Sequence, residues 1–109
     1  MNWEISFLPE AVKDLKNLGG NQRILTLKAI RKVQTNPLPS SEGGYGKPLG
    51  NKRGSDLTGF LKIKLRDAGI RVVYKLVRTE TQMLVIVISA RTDDEVYDTA
   101  DRRIKKHGL

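Results

Sequence analysis

The 109-residue chain contains no cysteine and a single histidine, His107. The lack of cysteine excludes disulfide frameworks, cysteine nucleophiles, zinc fingers and thiolate clusters. One histidine near the C-terminal end also excludes a nuclease built on a histidine pair and a multi-histidine metal site. Long apolar runs are missing too, because the longest, Met83 to Ile88, is far shorter than the ~20 residues of a membrane-spanning helix. The first residues show no basic stretch followed by an apolar one, so we expect a soluble, cytoplasmic protein with no membrane partner.

Positive charge is the dominant feature of the composition. The chain has 20 Lys and Arg against 12 Asp and Glu, which gives a formal net charge of +8 and a pI near 10.0. Residues 41–78 alone carry nine basic and three acidic residues. Such an imbalance favours phosphate-bearing partners. Length and a hydrophobic content of 39% predict a single domain over residues 1–109.

The first third of the chain predicts one strand and two helices. Polar and apolar residues alternate over Trp3–Phe7, and apolar residues recur every three or four positions over Pro9–Leu18 and Asn21–Asn36. Gly19 and Gly20 separate the two helices, with Asn21 as the expected N-cap of the second. Residues 37–59 contain three of the four prolines and six of the ten glycines, and they predict a long irregular connection.

A cationic hairpin follows. Phe60–Arg66 alternates strictly, and after a turn at residues 67–69 the alternation continues over Ile70–Arg78. The register that buries both apolar sets brings Arg71 to the face that carries the basic residues of the first strand. These are Lys62, Lys64 and Arg66.

The last third predicts an interior strand and a helix. Met83–Ile88 is apolar on both faces, and Thr92 to Glu95 forms a capping box in which the extra carboxylates favour the positive helix end. We therefore expect an α+β fold with two N-terminal helices on one face of a mainly antiparallel sheet of about four strands. The opposite, basic face is expected to be open, with the C-terminal helix closing one side.

The residue inventory suits phosphodiester chemistry. An RNA 2′-hydroxyl can attack its own phosphate if a base removes its proton and cations stabilise the phosphoryl oxygens. Lysine has an ordinary pKa of ~10.4, and crowding of Lys62 and Lys64 by other cations is expected to lower it. Arg71 and Arg91 suit fork-like phosphate binding, and the ring of Tyr97 suits stacking on a base.

Structural explanations stay open at this stage. The basic strand face could be an ordinary solvated surface, Arg91 a surface arginine and Tyr97 a half-buried packing residue. The acidic residues at 93–95 are explained by helix capping, and no metal site is expected from them.

Two motifs give the chain a resemblance to a known family. Leu61–Arg66 followed by Gly69–Tyr74, and Arg91 shortly before Glu95-Val96-Tyr97, resemble the RelE toxins of bacterial toxin–antitoxin modules, within the RelE/ParE superfamily. The resemblance implies a RelE-like, microbial-RNase-like fold. It also implies a ribosome-dependent endoribonuclease that cleaves mRNA in the A site by attack of the 2′-hydroxyl, without metal or cofactor, and leaves a 2′,3′-cyclic phosphate.

The resemblance also implies roles for individual residues. Lys62 corresponds to the general base, and Lys64 and Arg71 correspond to the cations that stabilise the phosphate. Arg91 corresponds to the residue that acts on the leaving group, and Tyr97 to the aromatic residue that holds and orients the RNA nucleobase. Further contacts to RNA or ribosome are assigned to Lys47, Lys52, Arg53, Arg66 and Lys75. Asp93 and Asp94 depart from the family, whose members often carry basic residues there.

The implied partners are the ribosome, mRNA and an acidic or amphipathic RelB-type antitoxin, with operator DNA as a candidate partner of the toxin–antitoxin complex. Two alternatives remain on the same fold: a ParE-like gyrase inhibitor and a non-catalytic RNA-binding module.

Overall fold

The computed structural model describes residues 3–52 and 55–109. They form an α+β fold, as expected, with one sheet in the order β1-β5-β4-β3-β2. The elements are β1 (Glu4–Phe7), α1 (Pro9–Lys16), α2 (Gly20–Gln34), β2 (Lys47–Lys52), β3 (Ser55–Leu65), β4 (Ile70–Val77), β5 (Gln82–Ser89) and α3 (Asp93–His107). Within the described ranges, no helix is both long and apolar enough to cross a membrane.

The sheet is antiparallel except for β1, which pairs in parallel with β5. The predicted interior strand is confirmed, since β5 lies between β1 and β4. Side chains on both of its faces are buried, including Val85, Ile86 and Val87. An apolar strand of this kind needs cover on both sides of the sheet.

That need explains where the helices lie. The N-terminal helices cover one face, whereas α3 packs against β5, β3 and β4 on the face that bears Lys62. Val96 and Ala100 of α3 are buried, and so is Val73, which lies opposite Lys62 in the sheet. The expected arrangement, a basic face that the C-terminal helix closes on one side, is therefore confirmed: α3 covers the β5 side of this face and leaves the β2–β3 side accessible.

The expectation of an irregular connection over residues 37–59 is wrong in part, because this segment contains β2 and the first half of β3. The sheet consequently has five strands rather than about four. Leu49 and Leu57 are buried in this region, and the pairing shifts register between Pro48 and Gly50. Proline is tolerated in an edge strand, and Gly50 adopts a left-handed conformation (φ 68°), which glycine accepts readily at such an irregularity. The proline and glycine content that marks this bulged edge strand is the same content that indicates a loop.

The helix termini agree with the sequence at α3 and differ at α2. Thr92 is the N-cap of α3, and its hydroxyl accepts a hydrogen bond from the amide of Glu95 at 3.4 Å. Helix α2 begins at Gly20 with Gly19 as its N-cap, so the expected cap at Asn21 is wrong. The side chain of Arg23 donates to carbonyls at the end of α1 and just beyond it, which ties the two helices together.

An ion pair between Asp14 and Arg103 binds backbone groups of β5. Strand β1 pairs with β5 only as far as Val85. Further along, the amide of Ile88 donates to Asp14 at 3.0 Å and the carbonyl of Ile86 accepts from Arg103 at 3.0 Å. Asp14 and Arg103 also bind each other through two hydrogen bonds of 2.6 and 3.1 Å. The pair therefore joins α1 and α3 along the part of β5 that pairs with β4 on one side and has no pairing with β1 on the other.

Candidate nucleic-acid site

Four cations from three adjacent strands share one side of the sheet, and we call them the cationic face. Lys47 of β2 lies directly opposite Lys62 of β3, and Lys64 of β3 lies directly opposite Arg71 of β4. The predicted placement of Arg71 on the lysine face is thus confirmed. Like charges at directly opposite positions destabilise a sheet. A bound polyanion would offset this repulsion, whereas a surface that is only solvated leaves it uncompensated.

Arg71 is held at the centre of this cluster. Its side chain is 17% exposed, and Nη1 donates to the carbonyl oxygen of Arg91 at 2.7 Å while Nε donates to the carboxylate of Asp93. Partial burial acts to raise the pKa of Asp93. The hydrogen bond from Arg71 and the charges of Lys62, Arg71 and Lys64 outweigh that effect and hold the pKa below its ordinary value. Asp93 therefore remains ionised and balances part of the cationic face.

Lys62 is positioned by α3. Its Nζ donates to the hydroxyl of Tyr97 at 2.7 Å and lies 5.4 Å from the centroid of the same ring. Tyr97 is only 5% exposed, since it packs beside the buried stripe of its helix. In this conformation its ring does not present an open face for stacking. The hydroxyl of Tyr97 instead holds the amine of Lys62, the residue to which the family resemblance assigns the role of general base.

Arg91 is brought near the cluster by its backbone but not by its side chain. Its guanidinium is 75% exposed and lies 3.8 Å from the carboxylate of Glu95. It borders a depression along the outer side of α3 together with Thr99 and Arg102. The link to the cationic face is the carbonyl of Arg91, which Arg71 holds.

Two of the other predicted binding residues, Arg66 and Lys75, lie in different parts of the structure. Arg66 lines a groove of about 290 Å³ beside the cationic face. Lys75 lies instead toward the other end of the hairpin, where its Nζ is 5.8 Å from the centroid of Phe60. Lys52 belongs to β2, although its side chain is outside the described part of the chain, and Arg53 lies outside the described residues altogether.

Two side chains at the site were not predicted there. Tyr45, a residue that is 51% exposed, borders the same groove, and Asp93 was expected only to cap a helix. A tyrosine between two glycines carries no signal of this kind in the sequence. The departure of residue 93 from the basic residues common in relatives was the one indication for Asp93.

Comparison with known proteins supports the resemblance. No protein-family model matches the chain. The mRNA interferase toxin RelE of Escherichia coli strain K12 is 29% identical over 104 residues, which is 95% of this chain and 99% of the relative. A doubly substituted form of E. coli toxin RelE in the free state superimposes with a TM-score of 0.72 at 28% identity, covering 95% of this chain and 99% of that one.

A second structure holds that E. coli toxin with a partner. The substituted RelE in complex with an antitoxin RelBc peptide superimposes with a TM-score of 0.68 at 26% identity, covering 92% of this chain and 95% of that one. Similarity in sequence and in fold extends over almost the whole chain in each case. The predicted resemblance is thereby confirmed: the chain is a homologue of the RelE toxins in both sequence and fold.

Proposed function

We propose that this protein is the toxin of a toxin–antitoxin pair and an endoribonuclease that cleaves mRNA in the ribosomal A site. Similarity to a protein named mRNA interferase toxin supports the coarser part, a toxin that cuts mRNA. The observation that carries the proposal is the cationic face, which gathers Lys47, Lys62, Lys64 and Arg71 on three neighbouring strands. One scissile phosphate and its neighbours provide the negative charge that such a cluster binds.

The proposed reaction is an attack of the ribose 2′-oxygen on the adjacent phosphorus. The bond from phosphorus to the 5′-oxygen breaks, which leaves a 2′,3′-cyclic phosphate and a 5′-hydroxyl. Lys62 in its neutral amine form takes the 2′-hydroxyl proton, while Lys64 and Arg71 stabilise the phosphoryl oxygens. Arg91 stabilises the negative charge on the departing 5′-oxygen, which takes a proton from water to become the 5′-hydroxyl. This role requires the exposed side chain of Arg91 to swing from Glu95 toward the phosphate. Tyr97 positions Lys62 through the 2.7 Å hydrogen bond.

The proposed partner in the resting cell is a RelB-type antitoxin. A related toxin has been solved with an antitoxin peptide, and the positive charge of this chain suits an acidic segment that folds as it binds. Such a partner would compete with the ribosome for a basic domain acting in the cytoplasm.

The decisive experiment uses purified ribosomes with an mRNA in the A site and maps the new 5′ ends. We expect Lys62→Ala to lower the cleavage rate by about 10²–10⁴-fold, which is the contribution of a general base, and Arg91→Ala to lower it by a comparable factor. Lys28→Ala is the matched control, because Lys28 is an exposed lysine of α2 away from the cationic face. Circular dichroism verifies that each variant is folded.

Four outcomes would contradict parts of the proposal. Full cleavage by a folded Lys62→Ala, Arg91→Ala double variant would refute the mechanism. Equal cleavage of free RNA would refute dependence on the ribosome. Intact mRNA together with loss of DNA supercoiling by gyrase would favour the ParE-like alternative, and RNA binding without cleavage would favour a binding module.

A further inference from the structure

The groove beside the cationic face combines a charged wall with an exposed aromatic ring. It is lined by Tyr45, Lys47, Lys62, Ile63, Lys64 and Arg66. Of the aromatic side chains in the described part of the chain, Tyr45 is the most exposed, at 51%. The catalytic assignments above use only the lysines of this groove and leave Tyr45 without a role.

The groove exists because β2 is shorter than β3 at this end. Pairing of the two strands starts at Lys47 and Lys62, whereas β3 continues to Leu65 with β4 as its only described partner there. The chain before β2 turns away at Tyr45 and Gly46, so the ring of Tyr45 forms one wall of the space left beside β3.

The segment that carries Tyr45 is anchored to the core. Its amide donates to the carbonyl of Asn36 at 3.0 Å, and Gly46 packs directly against the hydroxyl of Tyr74. Tyr74 is fully buried, and its hydroxyl donates to the carbonyl of Pro37 at 2.7 Å. Burial raises the pKa of Tyr74, which keeps this donor protonated. The ring of Tyr45 is therefore presented from a fixed backbone, which lowers the entropy lost when a ligand stacks on it.

We propose that this groove is a subsite for single-stranded RNA next to the scissile phosphate on Lys64, with one unpaired base stacked on Tyr45 and the neighbouring phosphates on Lys47 and Arg66. The proposal rests on the ribonuclease function proposed above and extends it beyond the reacting phosphate. Side chains two apart on a strand are spaced about 6.6 Å, comparable with successive phosphates of an extended single strand. Aromatic rings beside a positively charged groove are the usual means of binding single strands without strong sequence preference.

Lys32 adds to the suitability of the ring. Its Nζ lies 5.4 Å from the centroid of Tyr45, so a cation is already in contact with the π-system on the helix α2 side. The subsite is thus bordered by positive charge from the helix as well as from the sheet.

The test uses a labelled six-nucleotide 2′-O-methyl RNA, which has no free 2′-hydroxyl and cannot be cleaved. Its Kd is measured by fluorescence anisotropy with the full chain at fixed salt. We expect Tyr45→Leu to weaken binding about tenfold, equivalent to about 1.4 kcal/mol, and Tyr45→Phe to restore it because the ring remains. Ile24→Ala is the control, since Ile24 is an exposed apolar residue of α2.

Two further measurements probe stacking and charge directly. In a Trp3→Phe background, Tyr45→Trp places the only tryptophan in the groove, and its fluorescence should be quenched by the bound oligonucleotide. Lys47→Ala should lower the salt dependence of binding by about one phosphate contact, whereas Lys28→Ala should not.

The outcomes separate this inference from the proposed function. An affinity that is equal for Tyr45→Leu and wild type, with no quenching, overturns the subsite even if mRNA is cleaved. Intact binding with the predicted Tyr45 dependence, in a protein that cleaves no mRNA, supports the subsite and refutes only the ribonuclease. Unchanged RNA affinity with weaker binding of a poly-glutamate peptide to Tyr45→Leu would assign the groove to an acidic protein partner instead and overturn the proposal.

Discussion

Asp93 accepts a hydrogen bond from Arg71, and the proposed reaction needs Arg71 to bind the phosphate. Its carboxylate accepts from Nε of Arg71 and lies within the field of Lys62 and Lys64. A phosphate bound by Arg71 would have to share or replace this carboxylate. Asp93→Asn keeps the size of the side chain and removes its charge, so it measures how strongly the carboxylate competes with RNA.

The magnitude follows from Coulomb's law. A phosphate on Arg71 and the Asp93 carboxylate would lie roughly 5 Å apart, where two negative charges repel by about 3 kcal/mol at an effective dielectric constant of 20 and by less than about 1 kcal/mol in water. The side chain of Asp93 is 38% exposed, which places the site between these limits. We expect a gain of about 1.4 kcal/mol, or about tenfold tighter RNA binding.

The assay is the Kd of the 2′-O-methyl RNA at fixed salt for wild type, Asp93→Asn and Asp94→Asn. Asp94→Asn is the matched control because it removes the same charge from the same first helical turn, and both variants lose a helix-end interaction of about 0.5 kcal/mol. An equal change in both variants would refute specific competition and leave only net charge. Weaker binding by Asp93→Asn alone would show that the carboxylate orients Arg71 for the phosphate.

Three further predictions concern stability. Asp14→Ala leaves Arg103 without its carboxylate, and we expect denaturant unfolding to show a loss of about 2 kcal/mol, reduced from the fully buried case because both side chains are 17–18% exposed. Gly46→Ala places a Cβ 2.2 Å from the Tyr74 hydroxyl, which should cost about 2 kcal/mol in the same assay. Hydrogen bonds from His107, the backbone and Lys106 lower the pKa of Glu10 to about 2, so Glu10→Gln should lower Tm near pH 6. Since this carboxyl is depressed in the folded state, its contribution is complete above about pH 4.5 and disappears as the pH falls toward 2.

Each of these predictions has a control and a contrary result. Asp67→Ala, in the exposed turn after β3, should lower the free energy of unfolding by less than about 0.5 kcal/mol. An equally small loss in Asp14→Ala would show that the ion pair of Asp14 and Arg103 does not stabilise the fold. Gly20→Ala meets open space in a helix and should be neutral or stabilising, so an unaffected Gly46→Ala would contradict the close approach. A Tm difference for Glu10→Gln that persists unchanged from pH 6 to pH 2.5 would show that ionisation is not its source.

Local patterns were enough to predict the elements that bury one clear set of side chains. Alternation over Phe60–Arg66 and Ile70–Arg78 predicted the hairpin and placed Arg71 on the face of the lysines. The structure adds that Arg71 lies directly opposite Lys64. The apolar run at Met83–Ile88 likewise predicted an interior strand. The bulged edge strand β2 was missed because its Pro and Gly residues also suit a loop, and only its pairing with β3 distinguishes the two.

The sequence by itself determined the α+β class, the basic hairpin and the chemistry that remains when cysteine and all but one histidine are missing. Tertiary structure alone decided how those groups meet. Packing of α3 against the sheet buries Tyr97 and joins it to Lys62, brings Asp93 to Arg71, and leaves Arg91 exposed. The turn before β2 places Tyr45 beside Lys62, Lys64 and Arg66, which come much later in the chain. The physical reason is that strand alternation is a local property of the backbone, whereas these contacts depend on how a helix and a loop from distant parts of the chain settle on the sheet.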